Sequence, residues 1–141
     1  MGRTGDDMLL PDLSTLPAFA AYFGLGVLFL AIFCTVHIWL TPQREIALIR
    51  QGNQAAAISL GGALIGFVAP LASAMAHSVS LLDLAVWGLV ALIVQWLAHL
   101  VIRLLIHDLA TQVEQDNRAA AIFAAAVAIA VGLVNAAAMT W

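Results

Sequence analysis

Lysine is absent from this chain, cysteine occurs once, and only 9% of the 141 residues are charged. Each shortage excludes something. The basic residues are five arginines, Arg3, Arg44, Arg50, Arg103 and Arg118, too scattered to build a basic patch interleaved with aromatics. Nucleic acid therefore has no electrostatic footprint to bind. Cys34 stands alone in an apolar run, so neither a disulfide within the chain nor a thiolate metal site is expected; it reads as a small buried hydrophobe. The histidines, His37, His77, His99 and His107, have no acidic or thiol partners at metal-ligand spacing, so no metal site is expected. The chain also lacks a serine–histidine–acid set, paired intramembrane carboxylates, a phosphate loop and a nucleotide fingerprint. Neither an enzyme nor a bound cofactor is expected.

What is present is apolar. Hydrophobic residues make up 64% of the chain, and the mean hydropathy is +1.04. A soluble domain has about 45–50% apolar residues, and a domain this small keeps too much surface to hide the surplus. The surplus must face lipid, so the first partner is the bilayer itself.

Four apolar runs stand out, Pro17–Trp39, Ala55–Ala76, Asp83–Ile106 and Ala119–Met139. Each is close to the roughly 20 residues that cross a hydrocarbon core as an α-helix. Backbone groups there must bond internally, which selects helices. The fourth run, half alanine, reads as the weakest of the four on hydropathy and is expected to depend on its neighbours. Residues 1–16 form a short polar, acidic extension. Asp6, Asp7 and Asp12 stand where a cleavable signal peptide carries positive charge, so the first run is read as a retained span.

Local signals mark the helix ends. Pro17 suits a first helical position, and Thr41-Pro42 ends the first helix. Ser80-Leu81-Leu82-Asp83 matches a capping box. Asn53 and Asn117 precede the second and fourth helices, where their side chains can cap free N–H groups. The connection Pro42–Gly52 can form a short helix lying in the interface. Arg44 and Arg50 lie in the first connection, and Arg103 and Arg118 flank the one between helices three and four. Counting arginines over these short loops puts both connections in the cytoplasm and both termini outside, in the periplasm.

The halves of the sequence recur. A shift of 64 residues lays Asn53 to Ile58 on Asn117 to Ile122, Gly24-Leu25 on Gly88-Leu89, and Met75 on Met139. The expected fold is an all-α membrane protein of four transmembrane helices, arranged as two parallel two-helix repeats, residues 17–76 and 81–140, within one membrane domain, 17–141.

Two sets of residues are candidates for more than spanning. Gly62, Gly66 and Pro70 in the second helix imply close helix packing with a bend, since Pro70 leaves the Gly66 carbonyl without its usual donor. A hinge or an exposed pore-lining carbonyl is the alternative. Gln95, His99 and Arg103 recur every four residues and so share one face of the third helix. They read as an interhelical contact or, alternatively, as a polar path or ligand pocket, with Arg103 snorkelling to the headgroups. Asn135, near the outer end of the fourth helix, reads in the same two ways.

The stretch TPQREIALIRQGNQAAAISLGGALIGFVAPLASA and the closing GLVNAAAMTW resemble the YjfL-type bacterial inner-membrane proteins. The resemblance runs from about Phe19 to Trp141 and leaves out the acidic extension. It implies a bacterial inner membrane, tandem two-helix repeats and no established activity, and it supplies no catalytic residues. It also implies gene groups for envelope stress that include membrane-remodelling peripheral proteins. The expected function is thus a structural or adaptor component of an envelope-stress or membrane-maintenance system. It is expected to be homo-oligomeric, with a cytoplasmic peripheral partner at loop 42–52. The alternative is a small oligomeric channel or transporter subunit for protons or small ions.

Overall fold

The structure is a computed structural model that describes residues 13–42 and 44–140. The acidic extension up to Asp12, with Arg3, and the closing Trp141 lie outside the described residues. A single 3-10 turn, Leu13–Thr15, leads into α1 (Leu16–Leu40); α2 (Glu45–Arg50), α3 (Gln54–His77), α4 (Leu81–Leu105), α5 (Leu109–Glu114) and α6 (Arg118–Ala138) follow. No strand occurs among the described residues, and α1, α3, α4 and α6 are each long and apolar enough to cross a membrane. The chain is an all-α membrane protein.

The helices begin one or two residues ahead of the apolar runs, because the polar caps and first turns extend past the hydrocarbon. Leu16, not Pro17, opens α1; Pro17 takes the second position, where its missing N–H is also one that no helical carbonyl needs. Thr41 closes α1, its N–H and its Oγ1 both donating to the His37 carbonyl at 3.0 Å. Ser80 Oγ accepts from the Asp83 N–H at 3.1 Å, while the Asp83 carboxylate reaches past Ser80 to the Val79 N–H.

One expectation is overturned. The weakest span on hydropathy is α3, not α6. The glycines, serines and proline of α3 lower its mean more than alanine lowers that of α6. Those small residues also explain why α3 is the most buried of the four spans and α1 the least. In lipid no hydrophobic force pushes helices together, so close backbone approach and dispersion must do so.

The closest pair is α3 with α6. A methyl at Gly62 would land on Ala125, one at Gly66 on the Ala128 carbonyl and Gln95, and one at Gly132 on the Gly66 backbone. Pro70 has no N–H to give the Gly66 carbonyl, and Gly132 of α6 packs directly over that oxygen. The carbonyl is covered by a helix and lines no pore. Every buried residue of α6 is alanine or glycine. At the far end Ser73 Oγ donates to the Ala136 carbonyl at 3.0 Å, which fixes the register of the pair.

The connections are built alike. Both α2 and α5 end in a Schellman motif with a left-handed residue, Gly52 (φ 85°) in one and Asp116 (φ 57°) in the other. The Asn53 N–H donates to Leu48 and the Gly52 N–H to Ile49; the Asn117 N–H donates to Gln112 and the Asp116 N–H to Val113. Each bond in the second set is the first set displaced by 64 residues. The short helix α5 was not expected from the sequence, although that displacement maps Glu45–Arg50 onto it.

The two connections also lock to each other. Asn53 Oδ1 accepts from the Ala56 N–H, and its Nδ2 donates to the Val113 carbonyl, both at 2.8 Å. The Asp116 carboxylate accepts from the Ala55 N–H at 2.8 Å, and Arg118 donates to Gln54 at 3.2 Å. Asn117 caps α6 through Ala120, but its Nδ2 reaches only Gln112, in an exposed bond within its own connection. The two asparagines are therefore unequal. Asn53→Ala should cost about 2 kcal/mol in detergent unfolding and Asn117→Ala about 1 kcal/mol, since Asn53 loses a cap and a tie between the connections.

Candidate functional site

The third helix places Gln95 and His99 on its inner face and leaves Arg103, one turn on, exposed. Gln95 is buried, and its Nε2 donates to the Ala128 carbonyl of α6 at 3.2 Å. His99 is half-buried, and the edge of its ring meets His37 of α1 with centroids 4.8 Å apart. His37 is buried in turn, stacked on Phe33 at 5.4 Å.

The fourth member comes from outside the spans. Glu45, the first residue of α2, is only 1% exposed, and its Oε2 lies 3.8 Å from His37 Nε2. It tucks beneath α1 because Thr41 ends that helix and the next residues turn the chain back. Glu45 is an acidic neighbour that the fold, and not sequence spacing, brings to His37. Among the described residues no group of three or more metal-ligating side chains is assembled.

A cavity of about 10 Å³ lies between these groups, with His37, Ser59, Gln95 and His99 as its polar walls. Gln95 Oε1 and His99 Nε2 are buried without a hydrogen-bond partner among the described residues. Two imidazoles, a carboxyl, an amide and a hydroxyl thus converge at the loop side of the bundle. Toward the turn at Ser78–Ser80 the polar lining stops. Phe33 stacks on Phe67 at 4.5 Å, and Phe29, Leu71, Leu84 and Leu92 fill the core beyond.

Of the residues singled out from the sequence, Gln95 and His99 meet; Arg103 and Asn135 do not join them. Asn135 lies half-buried near the end of α6, its Nδ2 buried without a partner among the described residues. Gly62, Gly66 and Pro70 are all buried, and Gly62 and Gly66 lie against α6. Asn53, Asn117 and Ser80 each accept from the backbone N–H three residues on. Glu45 was missed because an acid beside Arg44 in a polar connection reads as solvated.

Comparison with known proteins adds the family. Residues 11–139 match the family described as Domain of Unknown Function (DUF350). The UPF0719 inner membrane protein YjfL of Escherichia coli (strain K12) is 40% identical over 129 residues, which are 92% of this chain and 98% of that protein. The UPF0719 transmembrane protein YshE of Bacillus subtilis (strain 168) is 27% identical over 120 residues, 84% of this chain and 90% of that protein. No solved structure matches. Matched nearly end to end and built of four apolar helices, this chain belongs to the DUF350 family and is a multi-pass inner-membrane protein.

Proposed function

We propose that the chain is a structural or adaptor subunit of the inner membrane, serving an envelope-stress or membrane-maintenance system. In this reading it has no catalytic activity, assembles as a homo-oligomer and presents its two connections to a peripheral cytoplasmic protein. The observation that carries the proposal is the locking of the two connections to each other, through Asn53, Asp116 and Arg118, into one fixed surface. A fixed surface costs little ordering entropy when a partner binds. On it Ile46, Ala47 and Arg50 of α2 are exposed beside a surface cleft of about 520 Å³ that also takes in Arg44. Apolar and basic groups together suit an acidic protein surface.

The arginines of that side support a cytoplasmic placement, with the termini in the periplasm. The recurrence of the loop hydrogen bonds at a displacement of 64 residues supports a tandem duplication. The ion-channel reading has less support, because the polar lining of one protomer ends at Phe33 and Phe67.

A photoreactive residue at Ala47 or at Gln51, in cells, should capture the same soluble protein from both positions, together with adducts between copies of the chain. Failure of both positions to capture any protein reproducibly counts against the adaptor. Purified protein in proteoliposomes should pass no protons or small ions under a gradient. Flux that His99→Ala abolishes with assembly intact would replace the adaptor with the channel.

A further inference from the structure

We propose that a groove between the end of α1 and the second half of α4 binds one anionic phospholipid of the loop-side leaflet, its acyl chain in the groove and its phosphate on Arg103. The groove measures about 340 Å³. Leu40, the last residue of α1, forms one edge, and a single face of α4 supplies the rest. On that face Ile93, Leu97 and Leu100 follow one another at spacings of four and three, which aligns them along the helix. All three are exposed, as is Leu40, so the groove opens outward to the bilayer. Half-buried Trp96 and His99 complete it.

Its length and polarity fit a lipid. Arg103 stands ten residues beyond Ile93, about 15 Å along the helix by its rise per residue. The hydrocarbon core is about 30 Å thick, so the groove runs the depth of one leaflet. Its apolar end lies toward the membrane centre, and the guanidinium is in the last turn of α4, at the loop side. An acyl chain and its headgroup have the same order and the same reach.

Charge selects the headgroup. The lining contains no carboxylate, and Arg103 is exposed. Neither ion pair of this side, His37 with Glu45 or His107 with Asp108, takes Arg103 up. A guanidinium offers a phosphate two parallel hydrogen bonds, and basic pockets between transmembrane helices are where anionic headgroups lodge. A zwitterionic headgroup brings its own ammonium, which competes with Arg103 for the phosphate. Hydrocarbon fills the open apolar length whatever the headgroup, so the choice between lipids falls to Arg103. Nothing in this site uses α2 or α5, and it stands with or without a peripheral partner.

The test is native mass spectrometry of the full chain, released from detergent in the presence of phosphatidylglycerol and phosphatidylcholine with identical acyl chains. One phosphatidylglycerol per chain should be retained in preference, by about fivefold, the effect of one arginine close to an anionic lipid. Arg103→Gln should abolish the preference, and Arg103→Lys should keep most of it. Leu97→Trp, at an exposed position, should fill the groove and lower the retention of both lipids, whereas Val134→Trp, as open on α6, should not. Equal retention of the two lipids by the unaltered chain, a preference that survives Arg103→Gln, or equal losses from the two tryptophan variants overturns the proposal. So do paired chains that retain no lipid and separate on Leu97→Trp, which would give the groove to a second copy.

Discussion

Gly132→Ala should disrupt the bundle, although it adds a single methyl. The new Cβ would fall on the carbonyl oxygen, carbonyl carbon and Cα of Gly66. These are backbone atoms of a helix that Pro70 has already deprived of one bond, so no side-chain rotation relieves the clash. Overpacking a well-filled contact costs about 1–3 kcal/mol, occasionally more, and the upper end applies where backbone must move. We expect a loss of about 3 kcal/mol or more in reversible unfolding in detergent, with α6 becoming open to proteases. Gly24→Ala is the control. Nothing lies within 4 Å of the added methyl there, and alanine is the better helix former, by up to about 1 kcal/mol. That variant should be neutral or more stable. Equal damage from both changes would mean that α3 and α6 are not in backbone contact.

Glu45→Ala should free α2 from the bundle. It removes the partner of a buried histidine and the one side chain of α2 that is fully enclosed. Breaking a buried pair by deleting one member costs about 3–5 kcal/mol, and most of that cost falls locally, because the rest of α2 rests on the bundle only through its half-buried Leu48 and Ile49. A local loss of about 3 kcal/mol corresponds to roughly 100-fold faster hydrogen exchange across Glu45–Arg50. Glu114→Ala, an exposed carboxylate on α5, should change exchange little, by less than about 0.5 kcal/mol in local stability. Similar exchange in the two variants would show that Glu45 holds nothing.

The contrast between these residues shows which features were legible in the sequence. The four spans were, because lipid demands a long apolar helix and the chain has four such runs. The caps at Asn53, Ser80 and Asn117 were also legible, since a cap depends only on its own next turn. The meeting of Gln95 and His99 on one helix face followed from a spacing of four. Features made between elements were not. Glu45 looks solvated until α1 ends and the chain folds back beneath His37. Gly132 looks like one small residue among alanines, yet Ala121, Ala125, Ala128 and Gly132 form a stripe at helical spacing that marks the contact face. The signal for α5 was present in the 64-residue recurrence, which carries the helix at Glu45–Arg50 onto Leu109–Glu114. The expectation that α6 is the weakest span on hydropathy failed because alanine is itself apolar, whereas the glycines, serines and proline of α3 lower its mean.

The account depends on a chain that crosses the membrane four times and brings both connections to one face, where they lock to each other through Asn53, Asp116 and Arg118. Single cysteines at Gln51, Ser80 and Gln115, in a background with Cys34→Ala, report this directly through an impermeant thiol reagent applied to intact cells. Gln51 and Gln115 should both be protected until the cells are opened, and Ser80 should label at once. Labelling that places Gln51 and Gln115 on opposite faces of the membrane would contradict the fold and every contact derived from it.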